Sequence, residues 1–210
     1  IVNMGSTKPE NLKQPAREEY YRDIPRLRNR YRKVMLSVTG CPFSCTYCSS
    51  SMKNTIRLFG NSSCSIKRRN MEDILNEAKY IKDCTEEIEW VDDDIFCGDI
   101  NWLNTFLDRW IKEIGLPMYV STTSISALKV SDNILKKLRK VVNCIGMGVQ
   151  ATNQESLKLL GRQWDNKEQI KSAYDRLVSF GFKVNLQCII GLPVTNTLED
   201  AVDTIEGMKY

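Results

Sequence analysis

From residue 33 onward, short apolar runs alternate with amphipathic stretches, and this alternation does most to limit what the chain can fold into. KVMLSVT (33–39) has the apolar character of a strand. MEDILNEAKYIKDC (71–84) sets Met71, Ile74, Leu75, Ala78 and Ile81 at helical spacing behind Asn70, a residue suited to an N-cap. EIEWVDD (87–93) predicts a second strand, NWLNTFLDRWIKEIG (101–115) a helix stopped by Gly115, and MYVSTTS (118–124) a third strand. SDNILKKLRKV (131–141) predicts a helix capped by Ser131, and CIGMGV (144–149) a fourth strand. A short helix at NQESLKLL (153–160) and a longer one at KEQIKSAYDRLVSFG (167–181) follow. KVNLQCII (183–190) predicts the fifth strand, and TLEDAVDTIEGMKY a last helix opened by Thr197 and Asp200 as a capping box. Trp102, Phe106 and Trp110 fall on the apolar face of their helix and are expected in the core.

Five strand–helix units in series call for right-handed crossovers and a parallel sheet. A closed eight-unit barrel takes about 250 residues, more than the 210 present. The expected fold class is therefore α/β, a partial (β/α) TIM-like barrel of about five units or an open sheet. Residues 1–32 lack the alternation and read as a lead-in arm ahead of a core domain spanning 33–210. The chain opens on IVNMG and stops at EGMKY within a helical pattern, so it is expected to be part of a longer protein.

Composition narrows the chemistry by subtraction. The absence of histidine removes histidine general bases, Ser-His and Cys-His nucleophile pairs, and mixed Cys/His zinc sites. A net charge of +4 is too mild to call for a nucleic-acid or membrane partner. The basic stretch RDIPRLRNRYRK (22–33), with Tyr31 available for stacking, is balanced by the acidic TEEIEWVDDD (85–94) and reads as a solvated arm. No run approaches membrane-spanning length, and the first thirty residues carry no signal-peptide core. A cytoplasmic location is expected, where the eight cysteines would stay reduced and act as ligands or core residues.

In parallel α/β architectures, ligands gather at the carboxyl ends of the strands. Strand one runs into GCPFSCTYC, with Cys41, Cys45 and Cys48. Strand two ends in Asp92, Asp93 and Asp94, strand three in Ser121, Thr122 and Thr123, strand four in Gln150, and strand five in Gly191, Leu192 and Pro193. All five sets would face one mouth. Thiolates select zinc, copper(I) or iron–sulfur clusters. Structural zinc takes four protein ligands, whereas this loop offers three, so a cluster, zinc and plain buried thiols all stand as readings of the spacing.

GCPFSCTYC resembles the signature of radical S-adenosylmethionine enzymes, with Tyr47 as its aromatic residue. WVDDDIF, GVQATNQESLKLLGR and IIGLPVTNTLEDA are similar to the subgroup whose radical domain follows a cobalamin-binding domain. The resemblance runs from about residue 15 to the end and implies a core with about five of its six strand–helix units present. It implies a [4Fe–4S] cluster on Cys41, Cys45 and Cys48, with the fourth iron left to S-adenosylmethionine. It further implies reductive cleavage to a 5′-deoxyadenosyl radical, and methyl transfer in a full-length cobalamin-dependent enzyme. Asp92 and Asp93 would lie near the methionine amino group, Gln150 and Glu155 near the ribose, and Gly191 against the adenosine. The implied partners are a flavodoxin- or ferredoxin-like electron donor, an unidentified substrate and a cobalamin domain outside this chain. A cluster-bearing electron-transfer or sensing domain without catalysis is the alternative. Ala151 stands where relatives carry serine, Thr123 where many carry arginine, and VTNT where G-E-T is usual. Of the other thiols, Cys144 and Cys188 are expected in the core, and Cys64 and Cys97 near the mouth. Arg162 fits either the site or a solvent-facing position.

Overall fold

The computed structural model describes residues 15–51 and 66–209. Its strands are β1 (Arg32–Met35), β2 (Val38–Thr39), β3 (Lys67–Arg68), β4 (Glu87–Trp90), β5 (Met118–Thr123), β6 (Val142–Gln150) and β7 (Lys183–Cys188). Its described helices are α1 (Arg17–Asp23), α2 (Met71–Ile81), α3 (Ile100–Glu113), α4 (Ser124–Lys129), α5 (Asp132–Leu138), α6 (Gln154–Leu159), α7 (Lys167–Ser179) and α8 (Thr197–Gly207). The main sheet runs β1-β4-β5-β6-β7, with every pair parallel. Each of these strands pairs with the next in sequence, so the sheet winds one way without reversing. That is the arrangement of a partial barrel rather than a doubly wound sheet.

Burial alternates along the strands and gives the sheet two unlike faces. Met35, Ile88, Trp90, Met118, Val120, Ile145 and Met147 are buried and meet the apolar sides of α2, α3, α5 and α7 in one core. Burying each such side chain is worth about 1.5–3 kcal/mol. Phe106 and Trp110 are completely buried, as expected, and the partly buried Trp102 stacks on Phe106 at 5.1 Å between ring centres. The other face is polar. Arg32 pairs with Glu87 and lies 5.0 Å from the centre of the Tyr119 ring. Asn185 on β7 donates to the Tyr119 hydroxyl (3.4 Å) across β6. That reach requires Gly146, where a Cβ would lie 2.5 Å from the Tyr119 oxygen.

The expected first strand divides in two. Ser37 and Val38 donate their amides to a carboxylate oxygen of Asp92 (2.7 and 3.0 Å) instead of to a neighbouring strand. The chain leaves the main sheet there and pairs as β2 with β3. Asn70 caps α2, accepting from the amides of Glu72 (2.8 Å) and Asp73 (3.4 Å). Ser131 precedes α5 without a side-chain cap bond. At α8 the reciprocal cap lies one residue before the expected one: Asn196 accepts from the Glu199 amide (3.2 Å) and donates to its carboxylate (2.8 Å). Thr197 donates to the Leu192 carbonyl (3.1 Å), and Asp200 turns inward to accept from Asn153 and Ser156.

The basic stretch is only partly solvated. Arg22, Arg26, Arg28 and Arg30 are exposed, but Lys33 is buried, donates to the Leu27 and Arg28 carbonyls and lies over the Tyr21 ring. Arg17 on α1 joins Arg69 around the buried Glu77 carboxylate and donates to the Val34 carbonyl (2.8 Å). Cys144, on the interior strand β6, is half-buried and Cys188 exposed, not core residues; Cys188 ends β7, an edge strand with exposed positions on both faces. Cys64 lies outside the described residues. No helix among the described residues is long and apolar enough to cross a membrane.

Candidate active site

The three cysteines sit on an irregular loop that begins where β2 ends, and contacts from several elements hold it. A bridge between Cys41 and Ser51 closes its two ends. The last carbonyls of a helix lack partners within that helix, and α6 has two of its own answered from this loop. The Thr46 amide donates to the Leu160 carbonyl (3.0 Å) and its hydroxyl to the Leu159 carbonyl (2.8 Å). Gly161 follows with φ +68°, where a Cβ would stand 2.8 Å from the Ser44 carbonyl oxygen. Phe43 stacks on Trp164 at 4.6 Å between ring centres. None of the seven described cysteines forms a disulfide.

The aspartates after β4 have three separate tasks. Asp92, 3% exposed, spends one oxygen on the Ser37 and Val38 amides and the other on the Ser37 hydroxyl, so it anchors the entry to the cysteine loop. Asp93 is exposed and hydrogen-bonds Ser50 at the far end of that loop. Asp94 is fully buried and accepts from the Phe96 amide (3.0 Å), the Thr122 hydroxyl (3.1 Å), and the Thr123 amide (3.1 Å) and hydroxyl (2.9 Å). Burial pushes the Cys41 thiol up to about 11, with the charges of Asp93, Asp94 and Cys45 adding and a backbone bond from Phe43 opposing. Cys97 is buried and interacts with both Asp94 and Cys41. A cavity of about 650 Å3 opens beside the loop, lined by Pro42, Phe43, Phe96, Cys97, Ser126 and Lys129 among others.

Gln150, at the tip of β6, has φ 71°, the only described residue other than glycine with positive φ. Such a conformation costs about 1–3 kcal/mol and collects at functional sites. Its amide folds back over Gly148, where a Cβ would meet the Gln150 nitrogen at 2.8 Å. Tyr47 is 45% exposed and hydrogen-bonds Arg162. Glu155 turns from the mouth to hold the next turn, accepting from the amide (3.1 Å) and hydroxyl (2.9 Å) of Thr195. Gly191 has φ +84° with nothing within 4 Å of a Cβ, so its backbone twist, not a close contact, requires glycine.

Arg162 is not solvent-facing: it is 2% exposed. It donates to the Gly148 carbonyl (2.7 Å) and to Asp165 (3.0 Å), stacks on Trp164 (4.4 Å), and brings one nitrogen to 3.9 Å from Cys45 Sγ. Asp165 in turn accepts from Ser124 (2.8 Å). Burial pushes the Asp165 carboxyl up, and Ser124 and Arg162 pull it down. Thr46 and Gly161 lie inside the runs GCPFSCTYC and GVQATNQESLKLLGR without being singled out there, and Trp164 and Asp165 follow in QWD, which carries no motif.

Comparison with known proteins bears on this arrangement. The chain is 26% identical over 180 residues to "Uncharacterized methyltransferase PH0819" of Pyrococcus horikoshii, covering 84% of this chain and 36% of that protein. Among solved structures, the cobalamin-dependent S-adenosylmethionine radical enzyme OxsB superposes with a TM-score of 0.67 at 14% identity, covering 84% of this chain and 26% of its own. The radical S-adenosylmethionine methyltransferase TsrM of Kitasatospora setae gives 0.64 at 14% identity, covering 90% and 35%. The chain thus spans about a third of the curated relative and a quarter of OxsB. A family model described as the Radical SAM superfamily matches residues 35–206. The chain belongs to the radical SAM superfamily.

Proposed function

We propose that this chain is the cofactor-binding core of an enzyme that holds a [4Fe–4S] cluster on Cys41, Cys45 and Cys48 and cleaves S-adenosylmethionine reductively. The observation that carries the reading is the pinning of one three-thiol loop, by Asp92 at its entry and Thr46 at its centre, beside the tips of β4 and β6. The donor set fits such a group. Soft thiolates suit iron–sulfur ligation, and Cys41, Cys45 and Cys48 lie on one loop whose ends are joined by the bridge between Cys41 and Ser51. When bound, the cluster supplies the electron for breaking the sulfonium C–S bond.

The chain's own residues bind and orient. Asp93, exposed beside the loop, offers a carboxylate to the methionine ammonium, while Asp92, already committed to Ser37 and Val38, positions the loop. Tyr47 and Gln150 present polar groups at the rim, Gln150 through its strained backbone, and Gly191 offers backbone to the adenosine. Glu155 acts by holding the Thr195 turn. Methyl transfer, with cobalamin from a domain outside this chain and an electron from a flavodoxin- or ferredoxin-like donor, is the outcome we favour on the likeness to the methyltransferase-named relative.

Anaerobic reconstitution tests the reading. The chain should take up iron and acid-labile sulfide, and Cys41→Ala, Cys45→Ala and Cys48→Ala should each lose them. Added S-adenosylmethionine should change the electron paramagnetic resonance spectrum of the reduced cluster, and dithionite should then release 5′-deoxyadenosine or transfer the methyl group. Zinc without sulfide, or a loaded cluster whose spectrum ignores S-adenosylmethionine, refutes it.

A further inference from the structure

Arg162 is an expensive residue in this position. A guanidinium stays charged at any working pH, and a buried charge costs several kcal/mol unless it is compensated. Here the fixation is elaborate. The nitrogen that donates to Gly148 and Asp165 is not the one that faces Cys45 Sγ, and the Trp164 ring covers the flat face. The third nitrogen, Nε, is buried and makes no hydrogen bond. Packing alone would be served by an uncharged side chain. Besides its hydrogen bond with Tyr47, what these contacts present outward is a fixed positive charge 3.9 Å from a thiol sulfur that lies 117 residues earlier in the chain.

We propose that Arg162 is a positioning residue that sets the reduction potential of the cluster ligated by Cys45, with Asp165 as the counter-charge that limits its effect. This rests on the reading of Cys45 as an iron ligand given above. Reduction adds one electron, from an external low-potential donor, and takes up no proton, so the cluster becomes one unit more negative. A cation held at the ligating sulfur therefore favours the reduced form, and hydrogen bonds to cluster sulfurs and net charge are established determinants of such potentials. Asp165 touches a different nitrogen from the one that faces the sulfur and is tied to Ser124. It offsets the guanidinium without cancelling it.

The test compares the chain with Arg162→Gln, Arg162→Lys and Asp165→Asn. Each is reconstituted anaerobically, assayed for iron and acid-labile sulfide, and titrated without S-adenosylmethionine while the spectrum of the reduced cluster is followed. At a fixed solution potential, Arg162→Gln should lower the ratio of reduced to oxidised cluster about tenfold, or about 59 mV for a one-electron couple. Arg162→Lys, which keeps a charge but loses the planar fork and its stacking on Trp164, should fall between the unaltered chain and Arg162→Gln. Asp165→Asn, which keeps the shape and removes the counter-charge, should move the ratio upward. Destabilisation alone would not produce shifts of opposite sign. An Arg162→Gln ratio within threefold of the unaltered chain overturns the proposal, as does an Arg162→Lys ratio as low as that of Arg162→Gln. If Arg162→Gln holds no cluster, Asp165→Asn decides, and an unchanged or lowered ratio there overturns the proposal. An unaltered chain that takes up no sulfide refutes the cluster reading and the proposal together; one with a loaded cluster and unmoved potentials refutes the proposal alone.

Discussion

Gly161 and Gly115 form a matched pair for measuring how firmly the cysteine loop is seated. Both follow helix ends with left-handed backbone, at φ +68° and +73°. An L-residue in that region costs about 1–2 kcal/mol, so Gly115→Ala, where nothing lies within 4 Å of the new methyl group, should lose that and no more. At Gly161 the methyl group would also meet the Ser44 carbonyl oxygen at 2.8 Å and the Thr46 methyl at 3.2 Å. Backbone cannot swing aside like a side-chain end, so overpacking adds about 1–3 kcal/mol. The expected losses are about 1–2 kcal/mol for Gly115→Ala and roughly 2–5 kcal/mol for Gly161→Ala. At roughly 2–4 °C per kcal/mol for a chain of this size, the difference is read in thermal and urea midpoints at constant m. Gly161→Ala should also take up less iron and sulfide, and Gly115→Ala as much as the unaltered chain. Equal losses of stability from the two substitutions would refute the contact as the seat of the loop.

Replacing Asp94 by alanine strips an acceptor from two buried backbone amides, those of Phe96 and Thr123. At about 1–3 kcal/mol each, the loss should be roughly 2–6 kcal/mol in chemical denaturation; a loss below about 1 kcal/mol would contradict the network. Hydrogen bonds from Arg109 and then Lys79 hold the partly exposed Glu113 carboxyl down to about 2. Against an unfolded value of about 4.3, its contribution to stability is present above that value and lost as pH falls through about 2. A carboxyl-carbon NMR titration should show this, and Arg109→Gln should return Glu113 toward the ordinary range; an unmoved titration contradicts it.

The alternation from residue 33 carried the order and parallel sense of the main sheet, because burial on one face leaves a periodic mark in the residues themselves. It did not carry the ends. EIEWVDD reads as strand through residue 93, yet β4 stops at Trp90, since side-chain period cannot report that Asp92 serves the amides of Ser37 and Val38. SISALK passed unread because Ser121, Thr122 and Thr123 before it suit an edge of sheet; the local signal was Thr123, whose hydroxyl caps Ser126. The cysteine loop was readable because three thiols brought together within one short run are a local property of the sequence. Arg162 was readable as a candidate but its task was not, and Asp165 was not readable at all, because both act through contacts with Cys45 and Ser124, far away along the chain.

The Thr46 hydroxyl finds its acceptor 113 residues downstream, on Leu159. On a ribosome working at about 5–20 residues per second, that separation is roughly 6 to 23 seconds of synthesis. Through that interval the thiols have emerged while the helix end that seats them does not yet exist. On the proposed cluster reading, loading in the cell would follow translation through α6, and a nascent chain interrupted before that point would present the cysteines without the contacts that seat their loop.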